Sequence, residues 1–158
     1  MKIAVGSDER THLTDTVVAL LQKMGHEVRL YGPLTEQDLP WPRVSQQLAV
    51  AVASGRADEG VLFCWTGTGA SMAANKVPGI RAALVHDAQT ARGARWWNDA
   101  NVLVLSLRVT SEAVAQEILE AWFSEQCRPE ERQYVDQLTA IERRYGPSPP
   151  RDAGAAGG

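Results

Sequence analysis

Residues Gly60 to Lys76, GVLFCWTGTGASMAANK, put a cysteine at the mouth of a glycine-rich turn. The apolar run Val61, Leu62 and Phe63 reads as a buried parallel strand, and Cys64 ends it. Gly67 and Gly69 follow, with the hydroxyl residues Thr66, Thr68 and Ser71, and then good helix formers. A strand that passes through such a turn into a helix aims free backbone N–H groups, and the positive helix end, at one spot. An oxyanion or a phosphate would bind there, and a thiol at its edge would abstract a proton or attack a carbon. Two plainer readings fit the same pattern: glycines that only make a tight turn, and a cysteine that is inert core. The segment is not the phosphate loop of nucleotide hydrolases, because Lys76 lies too far along, and Met72 fills the third glycine position of the dinucleotide fingerprint.

At 158 residues, with 44% hydrophobic and 22% charged residues, the composition is that of one globular domain able to bury a core. A formal net charge of −3 gives no basic field for nucleic acid or an anionic membrane, and no stretch is apolar enough to span a bilayer. MKIAVGSDE runs straight into a strand without a signal-peptide region, and the two cysteines, Cys64 and Cys127, make no disulfide framework. Both point to the cytoplasm. The histidines His12, His26 and His86 lack metal-ligand spacing, so no metal is expected.

The elements that position the turn alternate between strand and helix. Strands are expected at residues 2–5, 27–31, up to Cys64, 81–85 and 102–105. Helices are expected at 13–24, 43–53, 71–76, 87–97 (capped by Asp87), 111–123 and about 130–144, with 32–42 a loop. This order predicts an α/β fold: a three-layer α/β/α Rossmann-like sandwich with a five-stranded parallel sheet. The domain spans 1–145, and the low-complexity tail 146–158, GPSPPRDAGAAGG, is expected to be disordered. Right-handed crossovers place the first strand between the second and third, so Asp8 lies beside Cys64 at the carboxyl edge where such sheets bind ligands. Ser7-Asp8 is equally a plain cap for the first helix. Asn98 and Asp99 precede the fifth strand and have to reach in from a helix end.

KIAVGSD, the block Cys-x-Thr-Gly-x-Gly-x-Ser-x-Ala-Ala-Asn-Lys, GIRAAL and Asn-Asp-x-Asn-Val-Leu together resemble the ribose-5-phosphate isomerase B family, which includes the galactose-6-phosphate isomerase subunits. The likeness covers roughly residues 1 to 142. It implies a homodimer, in some members paired into a tetramer, with active sites at the dimer interface. It also implies aldose–ketose interconversion of a sugar or sugar phosphate through an enediolate, without cofactor or metal. Carried onto this chain, Cys64 is the base and Thr66 assists at the ring oxygen. Gly67, Gly69, Ala70 and Ser71 give N–H groups to the developing oxyanion, while Asp8 and Asn98 hold hydroxyls. Because an ordinary thiol ionises near ~8.5, the nest also has to favour the thiolate.

The chain departs from that family at several functional positions. Asp8-Glu9 stands for Asp-His, Trp97 for the ring-opening histidine, Trp65 for a glycine, and Pro40-Trp41-Pro42 for Asp-Tyr-Pro. Glu130 and Tyr134 take the places of two phosphate-clamping arginines, while Arg128 and Arg132 keep their spacing two residues earlier. Arg10, His12, Arg128 and Arg132 remain as candidate anion ligands, and Trp65 and Trp97 as flat faces for a sugar's C–H side. The expected activity is an aldose–ketose isomerase with a remodelled pocket, for which ribose 5-phosphate is a poor substrate. The alternatives are a non-catalytic, partner-dependent sugar-binding subunit, against which the retained Cys64 and Asn98 speak, and a sugar epimerase.

Overall fold

The structure is a computed structural model and describes residues 1–146; the expected disordered tail lies, from residue 147 onward, outside the described residues. Strands β1 (Lys2–Ser7), β2 (Glu27–Tyr31), β3 (Glu59–Cys64), β4 (Ala82–Leu84) and β5 (Val102–Ser106) alternate with helices α1 (His12–Lys23), α2 (Trp41–Ala53), α3 (Thr68–Ala74), α4 (Ala88–Asn98), α5 (Glu112–Ser124) and α6 (Arg132–Tyr145). All strands are parallel in the order β2-β1-β3-β5-β4, which puts β1 between β2 and β3 as the crossover rule requires.

Side chains of a central parallel strand alternate between two covered faces, so each strand needs apolar residues in a run. On one face Ile3, Val5, Val61, Phe63, Leu103 and Leu105 pack under α1, α4 and α5, around the fully buried Trp122. On the other, Ala4, Leu62, Val102 and Val104 meet Val44, Leu48 and Ala49 of α2 and Ala70 and Ala74 of α3. Burying a side chain the size of Phe63 or Leu62 stabilises the fold by about 1.5–3 kcal/mol, and β3 is buried along its whole length. Cys64 belongs to the α2–α3 face, at the point where β3 leaves the sheet.

Of the boundaries that differ from the sequence expectation, three have a clear local reason. Helix α2 begins at Trp41 rather than at residue 43, because Pro42 is tolerated in a first helical turn, where its missing N–H has no partner to lose. Helix α3 begins at Thr68 rather than at 71, since Gly67 with φ of 79° reverses the chain at once. Pro129 opens a 3₁₀ turn, Pro129–Glu131, and delays α6 to Arg132; a second such turn, Gly32–Thr35, lies in the expected loop. Asp87 does cap α4, accepting the Thr90 N–H at 2.7 Å.

Candidate active site

The carboxyl edge of β3 carries the candidate reactive group, Cys64. Cys64 is 7% exposed and directly precedes the turn, and its Sγ lies 4.0 Å from Asp8 Oδ2, at the end of the neighbouring β1. The Cys64 carbonyl accepts the Leu107 N–H at 3.0 Å, and the Trp65 carbonyl accepts the Arg108 N–H at 3.0 Å and the Ser106 hydroxyl at 2.8 Å. The chain that follows β5 therefore pins the start of the turn. Only glycine suits position 67: its φ is left-handed, and a Cβ there would meet Leu84 Cδ1 at 2.5 Å.

Beyond Gly67 the N–H groups of Thr68, Gly69 and Ala70 have no acceptor among the described residues. They form the expected donor nest at the N-terminus of α3. Ser71 differs from the other expected donors: its N–H bonds to the Gly67 carbonyl at 3.0 Å, and its hydroxyl faces the Ala82 carbonyl at 3.4 Å. The Thr66 and Thr68 hydroxyls share a hydrogen bond of 2.8 Å beside the nest, and Trp65 stands 59% exposed on the rim. Burial, aided by the charge of Glu9, pushes the Asp8 carboxyl above its ordinary value against the pull of its backbone hydrogen bond. Its Oδ1 is buried without a partner among the described residues.

Two residues join this rim that the motif did not single out as site residues. The benzo ring of Trp41, at the start of α2, lies so close over Gly69 that an added Cβ would meet three of its carbons at 3.2–3.3 Å. Arg108, two residues past β5, is exposed and takes part in none of the ion pairs among the described residues. A glycine seated under an indole leaves no sequence signal. Arg108 is findable only once β5 is known to lie next to β3, and the alternation of elements leaves that open.

Asn98 and Trp97 line a groove with Ala83 and Leu84 of β4. They finish α4, and the adjoining Asp99, with φ of 48°, binds Arg81 at 2.9 Å just ahead of β4. The Arg81 N–H in turn bonds Asn101 Oδ1 at 2.8 Å, just ahead of β5. Cys64 pairs with Ser106 in the register, five residues further along, which is about 16 Å at a parallel strand's rise. Asn98 and Cys64 share no hydrogen bond among the described residues. Trp97 lies against Gly93, and Asn98 lines a groove of about 640 Å³ with Ile80, Arg81, Leu138 and Ile141.

The four candidate anion ligands all have partners within the chain. Arg10 pairs with Asp15 at 2.9 Å, His12 with Glu112 at 3.1 Å, and Arg132 with Asp99 at 3.2 Å, while Arg128 stacks over Trp96 at 4.2 Å. A separate buried network fixes α4 to the sheet. Glu59 accepts from Arg95 at 2.7 Å and from Trp122 at 2.6 Å, and Arg95 also reaches the Ala100 carbonyl. Burial raises the Glu59 carboxyl's pKa, opposed by Arg95 and Trp122.

Comparison with known proteins gives one consistent answer. The sequence profile described as Ribose/Galactose Isomerase matches residues 3–138. Ribose-5-phosphate isomerase B of Escherichia coli (strain K12) is 39% identical over 145 residues, covering 90% of this chain and 97% of that protein. D-erythrulose-4-phosphate isomerase of Pectobacterium atrosepticum is 40% identical over 77% of this chain and 82% of its own length. Among solved structures, ribose-5-phosphate isomerase B of Clostridium thermocellum superposes with a TM-score of 0.85 at 37% identity, covering 92% of this chain and 99% of that one.

Proposed function

This chain belongs to the ribose/galactose isomerase family, and on that premise we propose that it interconverts the aldose and ketose forms of a sugar phosphate through an enediolate. The observation that carries the reading is the placement of Cys64 at the carboxyl edge of a central strand, directly before a turn of N–H groups that have no acceptor among the described residues. Cys64 takes the proton from the carbon beside the carbonyl and returns it to the neighbouring carbon. The Thr68, Gly69 and Ala70 N–H groups meet the oxygen on which negative charge grows, in a fixed arrangement that needs no reorganisation during the step. Thr66 assists from the same rim, Asp8 faces the substrate's hydroxyl-bearing carbons, and Arg108 is the cation available for the substrate's anionic end. Trp65 offers its exposed face to the sugar's C–H side.

The site is completed by a second copy of the chain. Asn98 and Trp97 finish α4 and line a groove with Ala83 and Leu84 of β4, and on this reading they meet the substrate from a partner. The exposed Leu138 and Ile141 on α6 supply apolar surface for such an association.

We further propose that the substrate needs no ring opening. Trp97 stands where the resemblance implies the ring-opening histidine, and Arg128 and Arg132 are held by Trp96 and Asp99. A four-carbon sugar phosphorylated on its terminal oxygen cannot close a five-membered ring, so it presents its carbonyl without an acid to open it. The test is a steady-state comparison of D-erythrulose 4-phosphate with D-ribose 5-phosphate. The four-carbon substrate is expected to reach a kcat/KM of roughly 10⁴ M⁻¹s⁻¹ or more, with ribose 5-phosphate at least about a hundredfold lower. Equal specificity constants would overturn the substrate assignment, and no turnover of any sugar phosphate would overturn the isomerase reading.

A further inference from the structure

Isomerisation moves two protons, one between carbons and one between oxygens, and Cys64 accounts only for the first. We propose that Asp8 carries the second: it takes the hydroxyl proton from the carbon that becomes the ketone and delivers it to the oxygen of the former aldehyde. The inference rests on the isomerase reading given above.

Three observations bear on it. Asp8 Oδ2 is 4.0 Å from the Cys64 sulfur, so a substrate carbon in contact with the thiol brings its own oxygen to the carboxyl group. The other carboxyl oxygen, Oδ1, is buried with no partner among the described residues, which is unfavourable unless a bound molecule bonds it. Burial also raises the basicity of the group, which brings it nearer to what a proton carrier needs at neutral pH. Glu9, in the same turn, is the charged neighbour that adds to this. Arg10 and His12 are bound to Asp15 and Glu112, and the turn from Trp65 to Ala70 contains no ionisable side chain.

The chemistry balances without a further reactant. In the aldose-to-ketose direction the thiolate removes the proton from C2, and the electron pair becomes the C1–C2 double bond as the C1 carbonyl gains negative charge in the N–H nest. Asp8 removes the C2 hydroxyl proton and hands it to O1, while the Cys64 thiol returns its proton to C1. The two oxygens of a cis-enediol lie side by side, so the two oxygens of one carboxylate can face both. Redox change is internal: C1 is reduced as C2 is oxidised.

This division of labour separates two rates that a simple binding role keeps together. In deuterium oxide, the wild-type enzyme exchanges the carbon-bound proton and completes isomerisation at comparable rates. Without Asp8, Cys64 still forms the enediolate and returns a solvent-derived deuteron to C2, but the oxygen-to-oxygen transfer stalls. With whichever of the two sugar phosphates turns over faster, Asp8→Asn should lose isomerisation by about a hundredfold, while exchange falls far less, raising the exchange-to-turnover ratio at least tenfold. The ratio is independent of how much of the variant is folded. In Asp8→Ala, added formate should restore turnover and leave exchange unchanged. An unchanged ratio in Asp8→Asn, or no rescue by formate, overturns the assignment and leaves the Cys64 reading intact. Absence of both exchange and turnover in the wild type would overturn the isomerase reading itself.

Discussion

Mixing two crippled chains should regenerate an active enzyme. Each site of the proposed dimer takes Cys64 from one chain and Asn98 from the other, because reacting groups must lie roughly 3–3.5 Å from the substrate atoms they act on. Within one chain Cys64 ends β3 at the carboxyl edge, whereas Asn98 ends α4 three residues before Asn101, which lies five register steps or about 16 Å from the level of Cys64. Cys64→Ser removes the base, and Asn98→Ala removes a hydroxyl contact, lowering turnover by about ten- to a hundredfold through lost positioning. Co-expressed with different tags and purified through both, the mixed dimer has one site bearing both changes and one bearing neither. Its activity should therefore be about half that of the wild-type dimer. A site built within one chain would give only the mean of the two parents. A mixed dimer no more active than that mean would refute the shared-site reasoning, as would light scattering that shows a monomer at working concentration.

Gly69→Ala puts a Cβ 3.2–3.3 Å from three carbons of Trp41, and should lower stability by about 1–3 kcal/mol in denaturant melts, recovered in part by Trp41→Ala. An unchanged midpoint would mean that the indole is free to move. Glu59→Gln leaves the Arg95 guanidinium, 13% exposed, without its counter-charge, and should destabilise by about 3–5 kcal/mol in the same assay. A loss below about 1 kcal/mol would mean that the pair is effectively solvated. The Thr90 N–H and hydroxyl hold the Asp87 carboxyl below its ordinary value, so its folded pKa lies under the unfolded one. The stability it gives is present above the unfolded value and is lost as pH falls through the folded one. Asp87→Asn should keep the cap yet flatten the acid side of a Tm-against-pH curve, and an identical slope would contradict this.

The parts of the fold that are legible in the sequence are those set by local physics. Continuous apolar runs such as Val61 to Phe63 mark a strand covered on both faces, and Asp87 marks where a helix begins. The place of Asp8 beside Cys64 follows from the handedness of two crossovers. Strand neighbours further along do not follow, since β4 and β5 are ordered by packing of α4 and α5 around Trp122, a contact between residues distant in sequence. For the same reason Arg108 was not evident beside the turn, and the partners of Arg10, His12 and Arg132 were not foreseen. Acidic residues at Asp15, Glu112 and Asp99 engage those cations, and only folding brings the last two into reach. The reach of Asn98 and Trp97 depends on the direction of α4. Parallel strands send the end of α4 to the amino edge of the sheet, away from Cys64.

Proton transfer by Cys64 is the claim on which the rest depends, and hydrogen exchange tests it directly. Wild-type enzyme and Cys64→Ser are incubated with the sugar phosphate in deuterium oxide, and deuterium on the carbons beside the carbonyl is followed by NMR alongside product formation. The account predicts that Cys64→Ser keeps its fold and assembly and loses both exchange and isomerisation by at least about a hundredfold. A folded Cys64→Ser enzyme that exchanges and isomerises at the wild-type rate would contradict it.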